Sequence, residues 1–186
     1  MKIVGLCGVP GTGKTTIMRE LMGGYTYNIL KYGTLEYMIP GYNSNNKPFI
    51  LGKYTGDMFD GTDKLSMAVI NDAEGWLAEV NKNNPTCNVL FEGDRLWCPR
   101  FVNFIVNELR AEFLFIYVLI NTPTLVRRHT ERAAVGHRQD TKFIVSRHTK
   151  YTNLMNTFPG LFQKRTNNNH GDLIKIRDEI QLFLET

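Results

Sequence analysis

A chain of 186 residues with 42% hydrophobic and 22% charged residues is near the size of one domain and can close a single core, which excludes the disordered and fibrous classes. No apolar run approaches the roughly 18 residues that a membrane-spanning helix needs; the longest, 113–120, reads as a buried strand. The net charge of +4 is local, because Arg127, Arg128, Arg132, Arg138, Lys142, Arg147 and Lys150 face only Glu131 and Asp140 within 127–150, so a general nucleic-acid-binding surface does not follow from it.

The chain enters a strand pattern at once, over 3–7, with no signal-peptide cleavage site, and a cytoplasmic location is the expectation. A glycine-rich turn follows at 8–15. The stretch 25–56 is broken by Pro40-Gly41 and Asn43-Ser44-Asn45-Asn46, and is expected to hold one or two strands and an acceptor-site loop. From Leu65 the positions Leu65, Val69, Ala73, Trp76, Leu77 and Val80 recur at helical spacing, with Thr62 or Asp63 placed as the cap. The run 89–91 is a second buried strand, Pro99 opens a helix, and 113–120 is a third strand. Thr122-Pro123 opens another helix. The stripe Ile144, His148, Tyr151, Met155 and Phe158 marks the next, and the last runs from Asp172 with Leu173, Ile176, Ile180, Phe183 and Leu184 inward. Strands alternating with helices predict one α/β domain over 1–186 with a parallel sheet.

Cys7, Cys87 and Cys98 form no Cys-x-x-Cys pair, and His129, His137, His148 and His170 match no metal spacing, so buried free thiols and no histidine-held metal are expected. The informative motif is Gly8-Val9-Pro10-Gly11-Thr12-Gly13-Lys14-Thr15, which fits Gly-x-x-x-x-Gly-Lys-[Ser/Thr] between a strand and a helix. Gly8, Gly11 and Gly13 let successive N–H groups, Thr12's among them, turn toward an anion, and the following helix adds the positive end of its dipole. Lys14 supplies a point charge for β and γ phosphates, Thr15 a hydroxyl for Mg²⁺, and Thr16 a contact to the α phosphate. Bound ATP with Mg²⁺ is the implied ligand.

Glu92-Gly93-Asp94-Arg95 follows the strand 89–91, at the carboxyl end where open α/β sheets bind ligands. Glu92 or Asp94 there is a candidate Mg²⁺ ligand or proton acceptor, and Arg95 a holder of an acceptor phosphate. Arg127, Arg128 and Arg132 lie at helical spacing, and with Arg138 are candidates to neutralise charge on a transferred phosphoryl group, within a lid of about 127–142. Asp57, Asp60 and Asp63 form an acidic loop in which one carboxylate is a candidate base; Asp63 is equally placed as a helix cap and Asp60-Gly61 as a turn. Tyr32, Tyr37, Tyr42 and Tyr54 are candidates to stack on a base, or equally core residues.

These residues resemble the nucleoside and nucleotide kinase branch of the P-loop NTPases over most of the chain. The resemblance implies about five parallel strands flanked by helices, a strand-end carboxylate and arginine at metal and acceptor (Glu92, Asp94, Arg95), and an arginine lid on ATP. It also puts Asn168, Asn169 and His170 beside the adenine. A narrower resemblance, on the small size, the lid and the segment 53–67, is to phage-encoded kinases that phosphorylate 5-hydroxymethyluracil within DNA, which would place the protein in a host cytoplasm. The acceptor is thus a nucleoside, a nucleotide such as a deoxynucleoside monophosphate, or a base in DNA. An NTP-hydrolysing switch or motor is the alternative class, and a homodimer is left open.

Overall fold

The computed structural model describes residues 1–41, 47–56, 60–136 and 140–186. Seven strands form one sheet: β1 (Lys2–Cys7), β2 (Tyr27–Tyr32), β3 (Leu35–Pro40), β4 (Phe49–Leu51), β5 (Asn88–Glu92), β6 (Glu112–Leu119) and β7 (Phe162–Thr166), in the spatial order β2-β3-β4-β5-β1-β6-β7. The five strands from β4 to β7 run parallel, whereas β3 is antiparallel to β4 and β2 to β3. The parallel part has the expected five strands, and the illegible stretch 25–56 holds three strands rather than one or two: β4, which belongs to the parallel part, and the antiparallel edge hairpin of β2 and β3.

Alternation along the parallel strands sends neighbouring side chains to opposite faces. Ile3, Val89, Phe91 and Phe115 pack with helices α2 (Ile70–Asn83), α3 (Pro99–Asn103) and α5 (Thr141–Thr157) through Trp76, Leu77, Phe101, Val102, Tyr151 and Leu154. Val4, Leu6, Leu90, Ile116 and Val118 pack on the other face with α1 (Lys14–Met22) and α6 (His170–Glu185) through Ile17, Met18, Leu173, Ile176 and Ile180. A sheet covered on both faces needs apolar residues at successive positions, which is why these strands read as continuous apolar runs. Helix α4 (Thr122–Ala134) has no fully buried side chain and lies over the carboxyl edge of the sheet.

Several boundaries differ from the sequence reading. Helix α2 starts at Ile70, not near Leu65; Thr62–Lys64 form a separate 3₁₀ turn, so neither Thr62 nor Asp63 caps α2. The helix opened by Pro99 continues as a π-helical turn over Phe104–Glu108. The cap of α4 is Asn121, whose side chain accepts from Thr124 N at 2.9 Å, and α6 begins at His170 behind the cap Asn169. On α5 His148 is exposed and Leu154 takes a core place, because the face toward the sheet edge is polar. Cys7, Cys87 and Cys98 are free thiols, the first two buried and the third half-buried. Tyr37 packs on Trp76, with ring centroids 4.6 Å apart, whereas Tyr32 is exposed on β2. Tyr42 lies outside the described residues. Among the described residues no helix is long and apolar enough to cross a membrane.

The wholly buried Trp97 donates from Nε1 to Leu6 O at 3.1 Å and packs against Gly5. A Cβ on Gly5 would come within 2.6 Å of the Trp97 ring and 2.7 Å of Phe91. Gly5→Ala is therefore expected to destabilise the fold by about 1–3 kcal/mol through overpacking, read as a lowered urea midpoint.

Candidate active site

Parallel pairing of β1 with β5 and β6 brings Cys7, Glu92 and Leu119 to one edge of the sheet, and the loop 8–13 leaves β1 at that edge. Gly8, Gly11 and Gly13 hold φ of 144°, 94° and 88°, which turn the loop around an open centre before α1 begins. Lys14 folds back over it, donating from Nζ to Gly8 O (2.8 Å) and Val9 O (3.3 Å).

Glu92 ends β5 with 2% of its surface exposed. Its Oε1 accepts from Thr15 Oγ1 at 2.9 Å and from Tyr54 OH at 3.2 Å. Desolvation pushes its pKa up to about 7; the nearby Asp63 adds to the rise, and Lys14, Thr15 and Tyr54 oppose it. A buried carboxylate beside a hydroxyl at the foot of a phosphate-sized loop suits a hard cation that takes most of its oxygen shell from phosphate and water. Among the described residues no cluster of three or more His, Cys, Asp or Glu side chains could hold a metal by itself.

Two cavities flank the loop. The first, of about 390 Å³, is lined by Lys14, Thr15, Asp60, Asp63, Glu92, Asp94, Arg95, Phe143, Arg147 and Tyr151. The second, of about 450 Å³, is lined by Arg127, Arg128, Val135, Asn167, Asn168, Asn169 and His170. Gly11, Gly13, Thr16 and Arg132 line both, so the cavities meet over the loop.

Helix α4 rests on the loop through Arg128 Nη1, which donates to Gly11 O at 3.0 Å, and His129 Nε2, 3.0 Å from Pro10 O. Since a carbonyl only accepts, His129 carries its proton on Nε2 there. One turn on, Arg132 faces the junction of the cavities. Burial lowers its pKa from the ordinary guanidinium value while the Glu92 charge supports it. Arg128 is lowered too, by burial and by Arg127 and Arg132. Arg127 stands at the rim, paired with Glu131 at 2.7 Å with both side chains more than half exposed. Arg138 lies outside the described residues, as does Asp57.

The acidic residues have distinct surroundings. Asp60 has a wholly buried side chain, paired with Arg19 at 2.6 Å and Lys64 at 3.4 Å, and accepts from Thr55 N at 3.1 Å. Asp94 is engaged from α5 by Arg147, by Lys150 Nζ at 2.9 Å and by Tyr151 OH at 3.2 Å. Those three donors share one helix face through their i, i+3 and i+4 spacing. Asp63 Oδ1 accepts from Asp94 N at 2.6 Å, and its carboxylate borders the first cavity. Arg95 lines the same cavity, with Nε on Leu65 O at 3.3 Å. Tyr54, read as an acceptor contact, instead holds Glu92 and does not line the cavity. Asn169, read as an adenine neighbour, caps α6 through Oδ1 on Asp172 N at 3.0 Å and lines the second cavity.

Among the polar contacts that escaped the sequence reading are Arg19 on Asp60, the α5 trio on Asp94, His129 on Pro10, and Asn167, whose Nδ2 donates to Thr12 O at 2.7 Å. Only Arg147 and Lys150 had a visible signal, as part of the basic segment.

The sequence matches the model of the family described as P-loop Nucleotide Kinase3 over residues 1–177, and the chain belongs to that family. No curated protein sequence matches it significantly. A solved shikimate kinase from Bacteroides thetaiotaomicron is similar with a TM-score of 0.50 and 15% identity, over 99% of this chain and 98% of that chain. A gluconokinase from Sinorhizobium meliloti 1021 is similar with a TM-score of 0.44 and 12% identity, over 97% of this chain and 96% of that one. At such identity the shikimate kinase likeness shows a shared fold.

The raised pKa of Glu92 makes stability pH-dependent. Its folded-state value lies above the unfolded value of 4.5, so the folded chain holds an extra proton between the two. The stabilisation this gives is fully present below about pH 4.5 and is lost as pH rises through about 7. Glu92→Gln, neutral throughout, is expected to flatten that fall, measured as Tm of the ligand-free chain from pH 4.5 to 8.

Proposed function

We propose that this P-loop nucleotide-kinase-family chain is an ATP-dependent phosphotransferase that moves the γ-phosphate of ATP to a hydroxyl of a nucleoside, a nucleotide or a modified base. One observation carries the reading: two cavities share Gly11, Gly13, Thr16 and Arg132. A switch or motor needs one nucleotide site. A phosphotransferase needs a second compartment, opening on the first where the phosphoryl group crosses, and the carboxylate-lined and guanidinium-lined first cavity fits that need.

In this reading the second cavity takes the nucleoside of ATP, and Asn168, Asn169, His170, Arg127 and Arg128 border it. The loop and Lys14 hold the β and γ phosphates, leaving Arg132 to balance charge on the transferred group at the junction. Thr15 and Glu92 would hold Mg²⁺, which when bound neutralises phosphate charge and orients the γ-phosphate. Four carboxylates surround the first cavity, and three have other work. Asp60 is taken by Arg19 and Lys64, Asp94 by the α5 trio, and Glu92 by Thr15 and Tyr54. Among the described residues Asp63 accepts only through Oδ1, and its Oδ2 is the candidate to take the acceptor's proton. Arg95 spends its Nε on a carbonyl and, among the described residues, keeps its two terminal amines for an anionic acceptor.

The narrowest form of the reading puts the acceptor on 5-hydroxymethyluracil in DNA, where the hydroxymethyl group projects into the major groove. Within 127–150, Arg127, Arg128, Arg147 and Lys150 have partners inside the chain and Arg132 faces the cavities. Few of these cations remain for a DNA backbone, so a DNA acceptor would bind with a shallow dependence on salt.

The test is transfer from γ-labelled ATP to a panel of nucleosides, deoxynucleoside monophosphates, and DNA with and without 5-hydroxymethyluracil. Label in one acceptor class is expected; ATP hydrolysis with none labelled would sink the reading. Lys14→Ala is expected to abolish transfer. Asp63→Asn should lower kcat roughly 10²–10⁴-fold, the usual contribution of a positioned base, with ATP affinity kept. Arg132→Ala should lower kcat more than ATP affinity, and equal losses would remove its role at the transferred group.

A further inference from the structure

Asn167 is 1% exposed at the carboxyl end of β7, where its backbone N donates to Leu119 O at 2.8 Å and extends the β6–β7 pairing by one residue. That bond fixes where the side chain starts. Across the chain, its Nδ2 donates to Thr12 O at 2.7 Å, in the middle of the phosphate loop. Its Oδ1 is equally buried and has no partner among the described residues. An amide with one half unsatisfied is a costly way to fill an apolar gap, and a leucine would fill it without an orphan acceptor. The donor half is therefore what the position requires.

The captured carbonyl belongs to the peptide unit joining Thr12 to Gly13. In a planar trans peptide C=O and N–H point in opposite directions. With the oxygen held on Asn167, the Gly13 N–H is aimed away from it, and among the described residues that N–H has no protein acceptor. Gly13 borders both cavities. A Cβ on Gly13 would lie 2.5 Å from Asn167 Nδ2, so the two residues are packed in direct contact. Thr12 is pinned at its other end, with Oγ1 donating to Val9 O at 3.0 Å, which removes the remaining freedom of the unit.

We propose that Asn167 is a positioning residue that sets the Thr12–Gly13 peptide so that the Gly13 N–H serves as an anion donor to the nucleotide's phosphates. It acts on the phosphates through the loop. The inference rests on the nucleotide reading of the loop, but not on the identity of the acceptor.

The experiment measures Mg·ADP affinity by calorimetry, together with the ADP-induced shifts of the Gly13, Lys14 and Thr15 backbone amides by NMR, in the unsubstituted chain and in Asn167→Leu. The variant is expected to bind ADP about tenfold more weakly, the size of one lost charge-assisted hydrogen bond. The Gly13 shift should be lost while those of Lys14 and Thr15 persist. A merely structural role would shrink all three shifts together. Affinity within twofold of the unsubstituted chain, or a Gly13 amide that still responds, overturns the proposal and leaves the nucleotide reading standing. No binding of ADP by the unsubstituted chain overturns both. If the leucine variant does not fold, Asn167→Ser, too short to reach Thr12 O, decides by the same readings.

Discussion

Strand β1 lies between β5 and β6 in parallel, and that pairing is the constraint from which the rest of the site follows. Parallel neighbours end at the same edge, so the loop after Cys7, the carboxylate of Glu92 and the turn after Leu119 meet without any element having to bend toward another. The same register sets β7 beside β6 and delivers Asn167 to the far side of the loop. Burial of Trp97 against Gly5 locks the segment after β5 under this edge, which keeps Asp94 and Arg95 close to Glu92 instead of trailing into solvent. The sheet core and the site geometry are therefore one energetic unit, and a packing change at Gly5, three residues before the loop, reaches the chemistry.

Concentrating Asp60, Asp63, Glu92 and Asp94 at one edge is unfavourable unless each charge is answered. Arg19 and Lys64 answer Asp60, and Arg147 and Lys150 answer Asp94. Glu92 is met by two hydroxyls and by Lys14 at longer range, and its raised pKa is the sign that this compensation is incomplete. A carboxylate left short of positive charge in the folded chain is a site where a bound cation gains the most. Removing the lysine or arginine partner of a satisfied acid would, by contrast, strand a buried charge and disturb the fold more than the chemistry.

The strands β1, β5 and β6 and the loop 8–15 were legible because burial on both faces and a phosphate-binding turn each leave a dense local signal. Leu65 and Val69 show where such a signal misleads. Both are buried in the same cluster as Ala73 and Trp76, so the helical spacing registers burial, while the backbone before Ile70 makes turns that also point inward. The edge hairpin of β2 and β3 was illegible because β2 is largely exposed and carries no apolar alternation. The run Asn167, Asn168 and Asn169 looks like low complexity, yet each side chain has a separate partner: Thr12 O, Asn121 N and Asp172 N. Contacts spanning up to 155 residues leave no trace in local spacing, and short amides are chosen there for reach and for carrying both a donor and an acceptor.

The two helices that cover the site are held in different ways. Helix α5 is anchored by core residues Tyr151 and Leu154 and by the trio on Asp94. Helix α4 has no buried side chain and is held by a handful of polar contacts, from Arg128 and His129 to loop carbonyls and through Asn121 N to Asn168. Few buried apolar contacts place an element at the low end of local stability. Those contacts are on the loop itself, so any group that shifts the loop also shifts the footing of α4 and with it Arg132. Arg132 thus sits on the loosely held helix, whereas Asp94 is gripped from the firmly anchored one, and the seat of α4 on the loop is what sets the guanidinium at the junction of the two cavities.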